Sequence, residues 1–257
     1  MKTLVREKTY ICGDYQYINI YPVFAPSGNR KNRRYKPTSE QQKRLNDMYA
    51  KKRLAMLLET NFQGEGYSVT LTYVNETLPL TDEQAFKNIS NYIRRIKYRC
   101  KKKGVSAPCA IWCTERSKAG RYHHHMLIKC GLSRDELEAL WYYGRPKADN
   151  LYFTEKGLEG LSKYLPKEPI GKQRWHRTRN FKEPDELVND NMSNNQARTI
   201  SNTNITAEEI ERFYPDYGVV KDSITHYFHE YSDIKYVSFK LYKKKSKYIN
   251  TSLRLRI

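Results

Sequence analysis

The feature that most constrains this chain is a run of three histidines, His123-His124-His125, that leads into the apolar segment Met126-Leu127-Ile128. This pattern is typical of a buried β-strand, in which successive side chains point to opposite faces of the sheet. The pleat therefore places His123 and His125 on one face and His124 on the other. Two imidazoles held two residues apart on a rigid strand can bind one metal ion, so the strand predicts part of a metal site.

A hairpin supplies the third predicted ligand. A strand-like run ends at Glu115, turn-forming residues 117–120 follow, and Glu115 lies eight residues before His123. In a hairpin with that loop the two residues can lie side by side on the same face. With His125 they would form a two-histidine, one-carboxylate site that suits Mg²⁺ or Mn²⁺, with zinc as the alternative metal. A strand histidine is otherwise most often a buried core residue, which is our interpretation of His124.

Composition indicates a polyanion as the partner. The 257-residue chain has a net charge of +19 and an isoelectric point near 9.6, and its 22 tyrosines suit base stacking as well as packing. Its five cysteines are an odd number without CxxC spacing, which argues against a zinc ribbon or a disulfide scaffold. No apolar signal segment or membrane-spanning run is present, so we expect a cytosolic protein without a membrane partner.

The densest positive charge falls at the end of a predicted helix that runs from the capping sequence 81–84 to Gly104. Cations are favoured at any helix C-terminus, but the dipole accounts for one or two of them rather than seven in ten residues. We therefore expect nucleic-acid contacts from Arg94, Arg95, Lys97, Lys101, Lys102 and Lys103.

The periodicity of residues 67–165 predicts the order βαββαβα, an α+β fold of ferredoxin-like type with helices packed on an antiparallel sheet. Its first strand alternates cleanly and carries Ser68, Thr70 and Thr72 on one face, and such a hydroxyl-lined face suits a phosphodiester chain. The fourth strand is predicted at 151–153, and a helix from about residue 155 to 164.

Three regions are predicted along the chain. Residues 1–62 form a basic N-terminal extension and a helix, and residues 63–183 form the core. Residues 184–257 form a linker and a small C-terminal α/β extension, in which the Asn-rich stretch 184–204 is the linker.

These motifs, in this order, resemble the HUH endonucleases. The closer resemblance is to rolling-circle replication initiators (Rep proteins) of small plasmids and phages. It rests on the histidine strand with Glu115 before it, the hydroxyl-lined first strand, and the motif Tyr164-Leu165-Pro166-Lys167. It covers residues 67–167. The resemblance places Gly160 where a second tyrosine would stand, which implies the single-tyrosine type.

The resemblance also implies residue roles. Tyr164 would attack a DNA phosphodiester, giving a 5′-phosphotyrosine and a free 3′-OH primer, with Lys167 as its catalytic partner and Tyr152 as the alternative nucleophile. Glu115, His123 and His125 would hold the divalent metal. Further DNA contacts are expected from Lys163, Arg174, Arg177 and Arg179.

The implied partner is single-stranded or hairpin origin DNA in the cytoplasm of a bacterial host. The sequence has no GxxxxGK[ST] loop, so we expect no nucleotide cofactor and a role for a host helicase and polymerase. A mobilisation relaxase or a single-strand transposase would use the same chemistry. Two further possibilities are a non-catalytic basic nucleic-acid-binding protein and a metal-dependent phosphodiesterase that uses water.

Overall fold

The computed structural model describes residues 4–23, 40–158, 160, 170, 173–227 and 235–245. The chain divides into a core unit (residues 61–153 and 158–182) and a terminal unit (residues 1–60, 154–157 and 183–257). The described helices are α1 (Glu40–Phe62), α2 (Asp82–Lys103), α3 (Arg134–Ala139), α4 (Asn194–Ile200) and α5 (Ala207–Phe213). The strands are β1 (Leu4–Cys12), β2 (Tyr15–Val23), β3 (Tyr67–Thr72), β4 (Cys109–Arg116), β5 (Tyr122–Lys129), β6 (Pro146–Asn150), β7 (His176–Arg177), β8 (Asp185–Asn189), β9 (Tyr217–Val219), β10 (Thr225–Tyr227) and β11 (Tyr236–Lys243).

The core unit contains an antiparallel sheet with the strand order β6-β3-β5-β4-β7. Along the chain its first four strands follow the predicted βαββαβ order, and the histidine strand β5 lies between β3 and β4. The α+β fold class expected from the sequence is confirmed. Because β5 is hydrogen-bonded on both sides, its register is fixed by two neighbours.

The helices of the core unit pack on the face of the sheet that carries Val69, Leu71 and Met126, and α2 contributes Ile89 and Ile96 to this core. Local sequence sets the helix ends. The Thr81 hydroxyl accepts a hydrogen bond from the amide of Gln84 at the start of α2, and Gly104 ends the helix with a φ of +66°. At α3, Ser133 and Glu136 form the predicted capping box.

The terminal unit has its own antiparallel sheet, ordered β10-β11-β2-β1-β8, with β9 also paired to β11. One face of this sheet, with Ile18 and Phe239, packs with Ala197 of α4 and Ile210 of α5. Residues 1–62 and 184–257, expected as two separate additions, therefore contribute to one unit. Helix α5 has the bounds that the sequence predicts.

Two elements differ from the sequence expectation. The strand expected at 151–153 is found instead at Pro146–Asn150, where Ala148 is the only buried residue and gives no alternating signal. The stretch 184–204, expected as a linker, contains β8 and α4. All five residues of β8 are exposed, so no apolar pattern marks it as a strand. The predicted helix after residue 155 begins later: residues 154–158 form a turn, Gly160 is helical, and the remainder lies outside the described residues.

A buried ion pair joins α1 to β11 in the terminal unit. The Lys240 ammonium lies 2.6 Å from a Glu59 carboxylate oxygen, and both side chains are almost completely buried. The other Glu59 oxygen accepts a hydrogen bond from the Tyr17 hydroxyl, and Lys240 also donates to the Lys156 carbonyl. Gly157 (φ +69°) lies so close to Glu59 that a Cβ atom would overlap the carboxylate. A charge removed from water in this way depends on its partner.

We expect Lys240→Met to lower the free energy of unfolding by about 3–5 kcal/mol, because it leaves the Glu59 carboxylate buried without its countercharge. The matched control is Lys8→Met, which breaks the more exposed pair with Glu186 and is expected to cost less than about 1 kcal/mol. The urea unfolding midpoint, followed by circular dichroism, measures both. Equal losses in the two variants would contradict a structural role for the buried pair.

Candidate metal centre and active site

The β4–β5 hairpin has the register that the sequence predicts. Glu115 lies directly opposite His123, and Cys113 lies opposite His125. The turn is closed by the Ser117 amide, which donates to the Arg121 carbonyl, with Gly120 at a φ of +79°. Residues directly opposite each other in an antiparallel pair share a face, so Glu115, His123 and His125 all lie on one side of the sheet.

These three side chains converge. One Glu115 carboxylate oxygen lies 3.2 Å from His123 Nε2 and 3.8 Å from His125 Nε2. One ligand atom from each residue can be chosen so that all three lie within 4.8 Å of one another. Glu115 is buried and the two imidazoles are partly exposed, so a cation here would meet protein ligands on one side and be open on the other. The donor set fits a divalent metal with free coordination positions.

His125 is held in an orientation that favours metal binding. Its Nδ1 lies 3.4 Å from the Thr70 hydroxyl, while its Nε2 faces Glu115. Burial lowers the pKa of His125, against an opposing effect of the Glu115 carboxylate, so the imidazole is neutral at pH 7. A hydrogen bond at one ring nitrogen leaves the lone pair on the other for a metal.

Cys113 is not counted among the ligands, although its sulfur lies 3.9 Å from a Glu115 oxygen. Burial raises the pKa of its thiol to about 12, so the thiolate that would bind a metal is not formed at neutral pH. Its role is packing, as the sequence predicts.

His124 lies on the opposite face and is fully buried. Its Nδ1 lies 2.8 Å from the Thr114 hydroxyl and its Nε2 lies 2.7 Å from the Tyr73 hydroxyl. Burial lowers the pKa of His124 to about 3, with smaller effects of its two histidine neighbours, so the ring is uncharged. The imidazole also packs edge-on against Trp141. His124 is thus a structural residue, as its position in the pleat predicts.

Two cations that sequence reasoning missed belong to the face of the triad. Thr72 lies opposite His123 on β3, and both its amide and its hydroxyl donate to the Arg145 carbonyl. Thr70 lies opposite both His125 on one side and Lys147 on the other. Arg145 and Lys147 are exposed, and Lys147 pairs with Asp149 on the surface. The signal that would have found them is the register of β6, an edge strand with one buried residue.

The hydroxyls predicted to meet DNA are partly engaged within the protein. Thr70 contacts His125, and Thr72 donates to the Arg145 carbonyl. Ser68 lies further along the same face, opposite Leu127. The hydroxyl-lined strand therefore supports the histidines and the edge strand as well as facing solvent.

The other predicted contact residues are distributed over the core unit. Arg177 lies opposite Ile111 and so on the face of the triad, Arg179 is exposed in the turn after it, and Arg174 is half-buried. The α2 cations lie on the helical side of the sheet. Arg95 is not an exposed cation, because its Nε donates to the Leu140 carbonyl and its guanidinium lies 4.2 Å from the Tyr142 ring centre. Tyr164, Lys163 and Lys167 lie outside the described residues, and the exposed Tyr152 lies in the segment after β6.

One comparison with known proteins bears on this site. Residues 66–169 match a family of replication-associated proteins, the ORF2 type. The match is to less than half of the chain, and it includes β3 to β6 with all three residues of the triad. It associates the core unit with DNA replication. No curated protein and no solved structure matches the chain.

Helix length and hydropathy bear on membrane insertion. Among the helices of the described ranges, none is both long and apolar enough to cross a bilayer.

We expect His124→Phe to destabilise the protein by about 1–3 kcal/mol, because the Thr114 and Tyr73 hydroxyls lose their buried partner. Affinity for Mn²⁺, measured by titration calorimetry, should stay within about threefold, since the ring faces away from the triad. His125→Ala is the matched variant on the other face. It should lower Mn²⁺ affinity strongly with little loss of stability, and the reverse pattern would contradict the assignment of faces.

Thr70→Val should lower Mn²⁺ affinity about tenfold, because the imidazole of His125 loses the hydroxyl that orients it. Thr70→Ser keeps the hydroxyl and should retain most of the affinity. Calorimetry on both variants tests the role of the hydroxyl. If serine and valine weaken metal binding equally, Thr70 acts through packing alone.

Proposed function

We propose that the chain is a metal-dependent DNA endonuclease and strand transferase that starts replication by nicking single-stranded DNA at an origin. The proposal rests chiefly on the convergence of Glu115, His123 and His125 on one face of a central hairpin. This hairpin falls within the stretch that matches a replication-associated family. A basic nucleic-acid-binding protein without catalytic activity would not need a carboxylate and two imidazoles in register.

The proposed reaction is a transesterification at phosphorus. The Tyr164 oxygen attacks the scissile phosphate, the bond from phosphorus to the 3′-oxygen breaks, and the 3′-oxygen takes up a proton to become the 3′-OH primer. The phenol proton passes to solvent or to a neighbouring base, and the DNA 5′-phosphate stays bound to tyrosine. The phosphodiester energy is kept for rejoining, which hydrolysis would discard. Lys163 and Lys167, on either side of Tyr164, are proposed to bind phosphate or favour the phenolate.

The triad is proposed to hold the cation that this reaction needs. A divalent metal, Mg²⁺ or Mn²⁺, would supply charge neutralisation at the scissile phosphate. Glu115 and the Nε2 atoms of His123 and His125 would hold it, and Thr70 would keep His125 in the required tautomer. Burial keeps His125 neutral, which suits a ligand.

The cut strand is proposed to lie across the face that carries the triad. Arg145 and Lys147 lie two strands from the histidines, a distance of about 10 Å at the usual strand spacing. Phosphates flanking the scissile one would fall within reach of these side chains. Arg177 lies at the other side of the same face. We propose that these three cations position the strand, with origin DNA, a host helicase and a polymerase as partners in the bacterial cytoplasm.

The direct test is to incubate the protein with labelled single-stranded origin oligonucleotides and Mn²⁺ and to look for a covalent adduct on a denaturing gel. We expect an adduct with the natural sequence and none with Tyr164→Phe, while Tyr152→Phe, the matched tyrosine control, retains it. Glu115→Ala should slow adduct formation roughly a hundredfold or more, since a bound metal contributes several kcal/mol to such a reaction.

The remaining outcomes separate the competing functions. Cleavage without an adduct would support a phosphodiesterase that uses water, and binding without cleavage would support a non-catalytic DNA-binding protein. An adduct that is lost in Tyr152→Phe but kept in Tyr164→Phe would move the nucleophile to Tyr152. Adduct formation on transfer-origin or transposon-end oligonucleotides instead of replication origins would support a relaxase or a transposase.

A further inference from the structure

The C-terminal half of α2 carries more positive charge than the fold uses. Of the seven cations between residues 94 and 103, Lys103 pairs with Glu136, and Arg95 is held by a carbonyl and a tyrosine ring. The other five are exposed and form no ion pair within the part of the chain that the structure describes: Arg94, Lys97, Arg99, Lys101 and Lys102. Several of them are three or four residues apart, where like charges on a helix repel. An external polyanion would relieve this repulsion.

This charge lies far from the triad. Helix α2 packs on the Met126 face of the sheet, whereas His123 and His125 occupy the other face. The helix begins at the end of the sheet that carries the triad, where the Asp82 carboxylate accepts a hydrogen bond from the Tyr122 hydroxyl. It ends at the opposite edge, beside Cys130, to which Cys100 is hydrogen-bonded. From Cys109 to Glu115 the strand β4 covers about 20 Å, so sheet thickness and strand length both separate the two sites.

Aromatic rings interrupt the cations. Tyr98 lies one turn after Arg94 and one turn before Lys102 on the same stripe of the helix, and it is 69% exposed. Tyr142 is 64% exposed and lies against the Arg95 guanidinium. The stripe from Arg94 to Lys102 is about 12 Å long at the helical rise. It is a straight, rigid surface with mixed charge and aromatic character.

We propose that the outer surface of α2, with Arg94, Lys97, Lys101, Lys102 and Tyr98, binds the backbone of double-stranded DNA. The segment it binds is distinct from the single strand cut at the triad. The identity of the polyanion rests on the proposed function: an origin is duplex beyond the strand that is nicked, and a rigid row of cations matches the regular phosphates of a duplex. The two faces of the core unit would then hold two parts of one DNA molecule.

The test uses the full chain with the substitutions Arg94→Gln, Lys97→Gln, Lys101→Gln and Lys102→Gln combined. The control combines Lys87→Gln, Lys118→Gln, Arg134→Gln and Lys182→Gln, exposed cations elsewhere on the core unit that give the same change in net charge. Circular dichroism checks that both variants are folded. Two readouts are measured: affinity for a blunt-ended origin-flanking duplex over a salt series, and adduct formation on a short single-stranded oligonucleotide.

We expect the α2 variant to bind the duplex at least tenfold more weakly. The slope of log affinity against log salt should fall by about three to four, close to one for each phosphate that a substituted cation no longer neutralises. Adduct formation on the short single strand should stay within twofold, and the control should bind the duplex nearly as the natural protein does.

Three outcomes would overturn the proposal. They are an equal loss of duplex affinity in the control, a parallel loss of adduct on the short strand, and a loss of binding to anionic phospholipid vesicles with duplex affinity unchanged. Duplex binding needs neither metal nor tyrosine. If no adduct forms with any protein, the proposed function fails while the duplex result still decides the role of α2.

Discussion

The pairing of Glu115 with His123 across the β4–β5 ladder is the constraint on which the site depends. Side chains in a strand alternate between faces, so a shift of one residue would bring His124 to the open face and bury both of its neighbours. Three features fix the register: the turn closed by Ser117 and Arg121, the pairing of β5 with β3 on its other side, and the buried core beneath. Metal chemistry and hydrophobic packing are therefore specified by the same hydrogen bonds.

The two faces of β5 have different requirements. On the buried face, His124 is neutral and has a hydroxyl partner at each ring nitrogen, so it behaves as a satisfied polar core residue. On the open face, the hydroxyl partner of His125 lies at Nδ1, which leaves Nε2 and its lone pair for a ligand. The same residue type thus has two functions, and the difference comes from the neighbours that the pleat provides.

Much of this could be predicted from the sequence, because it depends on local periodicity. The α+β class, the hairpin and the faces of the three histidines follow from alternation and spacing. The strand β6 could not be found, since an edge strand with one buried residue, Ala148, has no hydrophobic pattern. Arg145 and Lys147 were missed for the same reason. The partnership of residues 1–60 with residues 183–257 depends on contacts between segments far apart in sequence, about which periodicity carries no information.

A sheet-borne site has a further consequence for how a metal would be received. All three ligands lie on strands that are paired within the sheet rather than on a loop, and Thr70 already orients one of them. The protein therefore needs little ordering of its own chain when the cation arrives. Affinity would then be set mainly by dehydration of the ion and by the ligand set. A cation held this way could leave and return without unfolding the core, which distinguishes this site from zinc modules that fold only around their metal.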